Sequence, residues 1–508
     1  MNISAKWFLL VLSSAWVLPA WWFGASHVGG EWLLLLLATA ALILALLRKY
    51  RPKPSRYDTA NERRAATPRY RTWGHNRAFW AGGASLLFLG YILLQALNSE
   101  YGFVPGWPVG KLFPQPHLAW LPSGLATPFS AFSQDANGAV PFENAWRYLL
   151  IFSGAIVLMW ATALGLNRTR LVRAWLEMML AHAVLFSAVA LAHNLSGSRL
   201  TYWFFYDPAN RLGGSQFPNG NQQGAYQLIL LAITLAAAFV RSEARPFPAL
   251  RKRGVWMIFA PLIVWLGVVT GWHRAGLLLG TLLMLFALAL AWQRGNPRTR
   301  AWLAGFAACG TAVLLAGFFS VRSLRETTGR FSEVLDNPSS LLAGGEFRSW
   351  QHEVAWQMHH DAPWYGWGAG SYLYLFGAYY PRVPQLTAHF EAQRLNRVVF
   401  AHADGDWLEF LMEYGIIGMA LLMIPPICWL AWLLPRVRRA GREVWLLTAG
   451  IACVCAQATI DPALRNPMVF SGVAALAWLA IMLHRAARRE KWRELPAPVE
   501  GSKMLPPL

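Results

Sequence analysis

Runs of roughly 20 apolar residues, the length a helix needs to cross a bilayer core of about 30 Å, recur twelve times along this 508-residue chain. They lie near residues 7–24, 29–47, 78–97, 146–166, 174–194, 222–240, 255–271, 275–292, 301–320, 416–434, 443–460 and 468–484. Inside lipid every backbone polar group must bond within its own segment or a closed barrel, so runs of this length are helices. The sequence therefore predicts an all-α polytopic membrane protein of about 12 transmembrane helices. Composition agrees, since 56% hydrophobic and 14% charged residues exclude a water-soluble enzyme of this size. The formal charge of +20 would point to nucleic acid in a soluble chain, but here the basic residues fall in short clusters between apolar runs, so no nucleic-acid partner is expected. Cys309, Cys428, Cys453 and Cys455 all lie inside apolar runs without metal or CxxC spacing, and read as small core residues.

Alternating sides from an inside N-terminus places 32 of the 45 basic residues on the cytoplasmic side and 17 of the 25 acids opposite, as the positive-inside rule requires. Both termini are then cytoplasmic. The first run follows Lys6 like a signal peptide, yet Trp21, Trp22 and Phe23 crowd the place of a small-residue cleavage site, so a retained helix is expected. The chain divides into helices 1–9 over residues 1–320, a large outer loop at 321–415, helices 10–12 over 416–484, and a basic tail at 485–508. Within the first part, residues 98–145 are rich in proline and poor in charge, which predicts an irregular ordered cap or a flexible loop.

The outer loop holds five of the twelve histidines. Phe347, Trp350 and Val354 have the spacing of an amphipathic helix over Phe347–Met358, lying on the membrane surface or over a cavity. After it, PWYGWGAG (363–370) carries glycines at 366, 368 and 370. They permit a tight turn or close approach to a ligand, and the turn is the expected role. FAHADGDWLEFLMEYGIIG (400–418) runs straight into the tenth span. Asp406, Glu409 and Glu413 share one helical face there, and first-turn acids also suit the helix dipole. Asp404 and Asp406 spell a DxD like that of metal-dependent glycosyltransferases, but nucleotide sugars and their metal lie on the cytoplasmic side, so no metal is assigned. Arg274 follows Thr270-Gly271-Trp272-His273 at or inside the outer edge of the bilayer. It is either a functional cation or a snorkelling anchor. Arg211 opens the polar approach RLGGSQFPNGNQQG, which offers Asn219, Asn221 and backbone amides to an anion or sugar. With Arg348 on the amphipathic helix, these arginines point to an anionic lipid head group.

Five segments together resemble the O-antigen ligase and polymerase superfamily of bacterial membrane glycan transferases. Arg211–Asn221 is similar to that family's arginine, glycine and FxNxN entrance to a span, and Thr270–Gly276 to its TGSRG-like turn. The stretch from Arg348 and Trp350 through PWYGWGAG resembles its R…W…P..G.G.G pattern. Ala401–Gly418 resembles its HAHNDYLQLLAELGLIG, and Thr459–Pro467 its DFPL-like outer turn. Order and spacing agree from about residue 145 to 480. Where the family carries two histidines this chain has His402 and Asp404. Gly405 stands in place of asparagine, and His273 in place of serine.

The resemblance implies a GT-C-like fold in the bacterial inner membrane, with a periplasmic active site that serves lipopolysaccharide or other polysaccharide biosynthesis. A glycan would move from an undecaprenyl diphosphate carrier to a hydroxyl on lipid A-core, a glycan or a protein, with inversion at the anomeric centre and neither cofactor nor metal. Arg211, Arg274 and Arg348 are then the diphosphate ligands and His402 the general base, with Asn219, Asn221, Asp404 and Asp406 as further substrate contacts; the bland role for His402 is capping or packing. A polymerase of the same superfamily fits the motifs equally well. A flippase for lipid-linked glycans fits the span count, but no internal repeat relates the two halves, and the polar residues gather on one side instead of lining a path.

Overall fold

The computed structural model describes residues 3–26, 28–50, 71–104, 111–114, 116–126, 144–166, 169–196, 198, 200–204, 215–217, 219–243, 256–271, 274–294, 346–392, 400 and 402–493. Fourteen α-helices lie among them: α1 (Ile3–Trp21), α2 (Val28–Tyr50), α3 (Arg71–Leu97), α4 (Ala145–Gly165), α5 (Thr169–Ser196), α6 (Gly220–Glu243), α7 (Trp256–Val269), α8 (Arg274–Arg294), α9 (Glu346–Asp361), α10 (Tyr372–Tyr379), α11 (Pro384–Ala392), α12 (Asp406–Leu433), α13 (Arg442–Gln457) and α14 (Pro467–Arg493). Eight of these are long and apolar enough to cross a membrane: α2 to α6, α8, α12 and α14. The apolar runs near 7–24, 255–271 and 443–460 are also helical, as α1, α7 and α13, while 301–320 lies outside the described residues.

Outward faces carry exposed Leu36, Leu47, Leu86, Leu87 and Ile427, a pattern suited to lipid and costly in water. α6 is the central helix, buried along nearly its whole apolar length, with α13, α7, α5, α8 and α14 packed around it. Because lipid tails are as apolar as leucine, cohesion here rests on close packing and internal polar contacts. Trp16 of α1, almost fully buried, meets Trp175 of α5 edge to face and donates to Thr162 of α4 at 3.3 Å. Glu31 of α2 accepts from the buried Arg147 of α4 at 2.8 and 3.0 Å. The side chain of Asn144 caps α4 by accepting from the Arg147 amide.

Two features depart from the sequence expectations. The segment after α3 holds a three-stranded sheet, β1 (Ser99–Val104), β2 (Lys111–Pro114) and β3 (Gly124–Ala126), in the order β2-β1-β3 with β2 antiparallel and β3 parallel to β1. Its strands are three to six residues long and set among prolines, which hides them from a reading by periodicity. Helix α12 starts at Asp406, as the shared face of Asp406, Glu409 and Glu413 implies, but it turns at Gly415 (φ 61°, ψ −172°) before continuing into the span.

That turn explains the first glycine of PWYGWGAG. Gly366 and Gly415 meet backbone to backbone: a Cβ on Gly415 would lie 2.3 Å from the Trp364 carbonyl, and one on Gly366 would lie 2.4 Å from that of Glu413. The loop bonds across the kink, with the Trp367 and Gly368 amides donating to Met412 and Glu413 and the Ile416 amide donating to Pro363. From α3, Gln95 donates to the carbonyls of Tyr365 and Glu413, and Tyr91 to those of Tyr365 and Tyr414. Gly415 occupies a backbone region that side chains avoid, so Gly415→Ala is expected to cost about 2 kcal/mol or more. Thermal denaturation in detergent reads this, and an unchanged melting temperature would contradict it.

Candidate active site

The acidic face of α12 is the foundation of the site. Asp406, Glu409 and Glu413 are fully buried, and burying three carboxylates together requires a cation. Arg465 supplies it from the turn between α13 and α14. Its Nη2 lies 2.9 Å from Glu409 Oε1 and 2.8 Å from Glu413 Oε2, and its Nε lies 3.8 Å from Asp406 Oδ1. Nη1 donates to the Tyr148 hydroxyl of α4, and the guanidinium stands over the rings of Tyr148 and Phe410. Burial opposes the charge on Arg465, but Glu409 and Glu413 outweigh it and hold the guanidinium protonated. Backbone bonds zip the same turn to α12: the Asp406 amide donates to Ala458 O at 2.8 Å, and the Leu464 amide to Asp406 Oδ2 at 2.5 Å. Below lies an aromatic core in which Phe152 meets Phe88, Phe410, Tyr414 and Phe470.

His402 sits on this foundation. Its Nδ1 lies 3.2 Å from Glu409 Oε1, while the next amide, Ala403 N, donates to Glu409 Oε2 at 2.9 Å. The imidazole keeps 18% of its surface exposed, enough for a substrate to reach it.

Beside it a second constellation joins four segments. Arg348 of α9 pairs with Asp404 Oδ2 at 3.4 Å and Asp461 Oδ1 at 3.3 Å. Asn221 of α6 donates to the same Asp461 oxygen at 2.8 Å, and Gln457 donates to the Asn221 carbonyl. Asp404 has φ 53°, a left-handed conformation uncommon outside glycine, and its carbonyl faces His352 Nε2 at 3.4 Å. Gly405 leaves room there, because a Cβ would lie 2.9 Å from His352 Nε2 and 3.0 Å from Thr459 O. The two carboxylates of the DxD thus turn to different cations, Asp404 to Arg348 and Asp406 to Arg465.

Of the residues singled out in the sequence, His402, Asp404, Asp406, Arg348 and Asn221 belong to this cluster. Asn219 is occupied at the start of α6, its Oδ1 accepting from the amides of Asn221 and Gln222. Arg211 lies outside the described residues, as do Trp272 and His273. Arg274 opens α8, and its side chain is outside what is described. Arg465 and Asp461 escaped the sequence reading. The signal available for Arg465 was the acidic face itself, since three carboxylates on one buried face call for a basic residue.

Burial pushes Asp461 up to about 7, with Arg348 opposing, and burial likewise raises Asp404 against Arg348 and His402. For Asp461, a rise from the ordinary 3.8 to about 7 corresponds to about 4 kcal/mol. Between those values the folded chain holds a proton that the unfolded chain has lost, so this carboxyl's contribution to stability falls as pH rises through that window. Asp461→Asn removes the titration. The melting temperature of the variant relative to wild type is expected to climb from about pH 4 to about pH 7, and a constant difference would contradict the assignment.

No protein-family model matches the chain, and no curated protein matches it.

Proposed function

We propose that the chain is a glycosyltransferase of the bacterial inner membrane, with about 12 spans, both termini cytoplasmic and its site facing the periplasm. It would move a glycan from an undecaprenyl diphosphate carrier to an acceptor hydroxyl, as an O-antigen ligase-like enzyme of cell-surface polysaccharide synthesis. The observation that carries this reading is a partly exposed His402 held on Glu409, with Arg348 paired to Asp404 two residues further on. An imidazole that donates Nδ1–H to a carboxylate carries its lone pair on Nε2, the arrangement of a general base. The charge asymmetry across the spans and the five family-like segments support the same reading.

In the proposed step the acceptor oxygen bonds to the anomeric carbon as the carbon–oxygen bond to the diphosphate breaks. His402 takes the hydroxyl proton, and the electron pair leaves on the diphosphate. Cationic groups fixed in place before the reaction lower the cost of that departing charge by several kcal/mol. Arg211 and Arg274 are assigned to it, joined by Arg348 as it exchanges a carboxylate for the diphosphate. Asp461 eases that exchange, because a carboxyl pushed up to about 7 is protonated about half the time at neutral pH.

Purified protein reconstituted with a fluorescent undecaprenyl diphosphate oligosaccharide and candidate acceptors tests the reading. Glycan transfer with release of undecaprenyl diphosphate is expected, and the product distinguishes ligase from polymerase. Labelled donor crossing the bilayer without transfer would replace the transferase with a flippase.

A further inference from the structure

We propose that Glu409 and Arg465 are positioning residues that fix the tautomer and basicity of His402, an inference that rests on the general-base reading of that histidine. The Glu409 carboxylate is fully engaged. Oε1 faces both Arg465 Nη2 and His402 Nδ1, and Oε2 accepts from Ala403 N, so one side chain grips both the imidazole and the backbone next to it. A carboxylate held on both oxygens cannot rotate away, and the ring it holds cannot flip without losing the bond.

Arg465 decides how Glu409 is held. Glu409 Oε1 meets Arg465 on one side and His402 Nδ1 on the other, so removing the guanidinium frees that oxygen to turn away from the ring. Standing between Glu409 and Glu413, anchored by Tyr148 from α4, Arg465 fixes the oxygen that accepts from Nδ1–H, and a ring that donates from Nδ1 keeps its lone pair on Nε2. Among the described residues, Asp404 and Asp406 on its own segment also interact electrostatically with His402. Asp404 in turn feels Arg348 and His352 from α9, and both Asp404 and Glu409 feel Tyr372 from α10. At Nδ1 the partner is Glu409 Oε1, 3.2 Å away.

The test uses the full-length protein in lipid nanodiscs and reads His402 directly. The pH dependence of its carbethoxylation by diethylpyrocarbonate, which attacks the neutral ring, is followed by mass spectrometry of the His402 peptide. Removing the counter-charge in Glu409→Gln is expected to lower the midpoint by about 1 unit or more and to lower transfer by about tenfold or more. Arg465→Lys keeps the charge and should keep the midpoint, whereas Arg465→Gln should lose transfer to nearly the extent of His402→Ala. If Arg465→Gln does not fold, Glu409→Gln and Arg465→Lys still decide the matter. An unchanged midpoint in folded Glu409→Gln overturns the positioning role whatever the turnover. A shifted midpoint together with full transfer by His402→Ala upholds the positioning and removes only the base assignment.

Discussion

Replacing Arg465 with methionine is expected to destabilise the protein by about 3 to 5 kcal/mol, because breaking a buried ion pair strands the remaining charges. The stranded groups are Asp406, Glu409 and Glu413, all fully buried and all within 4 Å of that guanidinium. The Tyr148 hydroxyl also loses its donor, and the turn after α13 loses the side chain that ties it to α12 and α4. Neutralising the carboxylates together, as Asp406→Asn, Glu409→Gln and Glu413→Gln in the methionine background, should recover part of the loss, since amides leave no charge to strand but still need hydrogen-bond partners. Thermal denaturation in detergent at fixed pH reads both steps. A methionine variant as stable as wild type, or a quadruple variant less stable than the single one, would mean that the cluster does not hold α12 in place.

The acidic face shows how far the sequence carries the fold and where it stops. Spacing alone put Asp406, Glu409 and Glu413 on one side of a helix, and the structure buries that side completely. The cation that makes the burial tolerable stands 52 residues beyond Glu413, in a turn between two helices, so local pattern could not pair them. The same holds for the glycines. Gly366 to Gly370 read as a tight turn, but what Gly366 makes room for is the kink at Gly415 and what Gly368 makes room for is Gly124, each on another element. The amphipathic helix was legible from Phe347, Trp350 and Val354, because helical packing repeats at short range, and it is α9. Arg348 stood out in the sequence as a cation at the outer face, but not its two carboxylate partners, one of them in the turn that carries Arg465. The small sheet after α3 was missed because its strands pair across prolines and present no alternation long enough to count.

His402→Ala is expected to lower transfer by roughly 10² to 10⁴, the range a general base contributes. The loss should fall on the chemical step, because the imidazole is assigned to the acceptor proton while the donor's diphosphate is assigned to arginine. Donor binding, read by fluorescence of the labelled lipid, should therefore be within a few-fold of wild type. The fold should survive as well: His402 is partly exposed and rests on Glu409, which keeps Arg465 and the Ala403 amide when the ring is removed. Arg348→Ala should show the opposite split, with weaker donor binding and a melting temperature that responds to the release of Asp404 and Asp461.

Single-turnover transfer measures most directly the acid–base chemistry proposed for His402 on a lipid-linked glycan. Wild type and His402→Ala, each preloaded with fluorescent undecaprenyl diphosphate oligosaccharide in proteoliposomes, are mixed with acceptor and followed for undecaprenyl diphosphate release. Rapid release by wild type, with a rate in the variant lower by about 10² or more from the same amount of bound donor, is the predicted result. Equal rates in the two proteins, or no release from wild type that holds its donor, would contradict it.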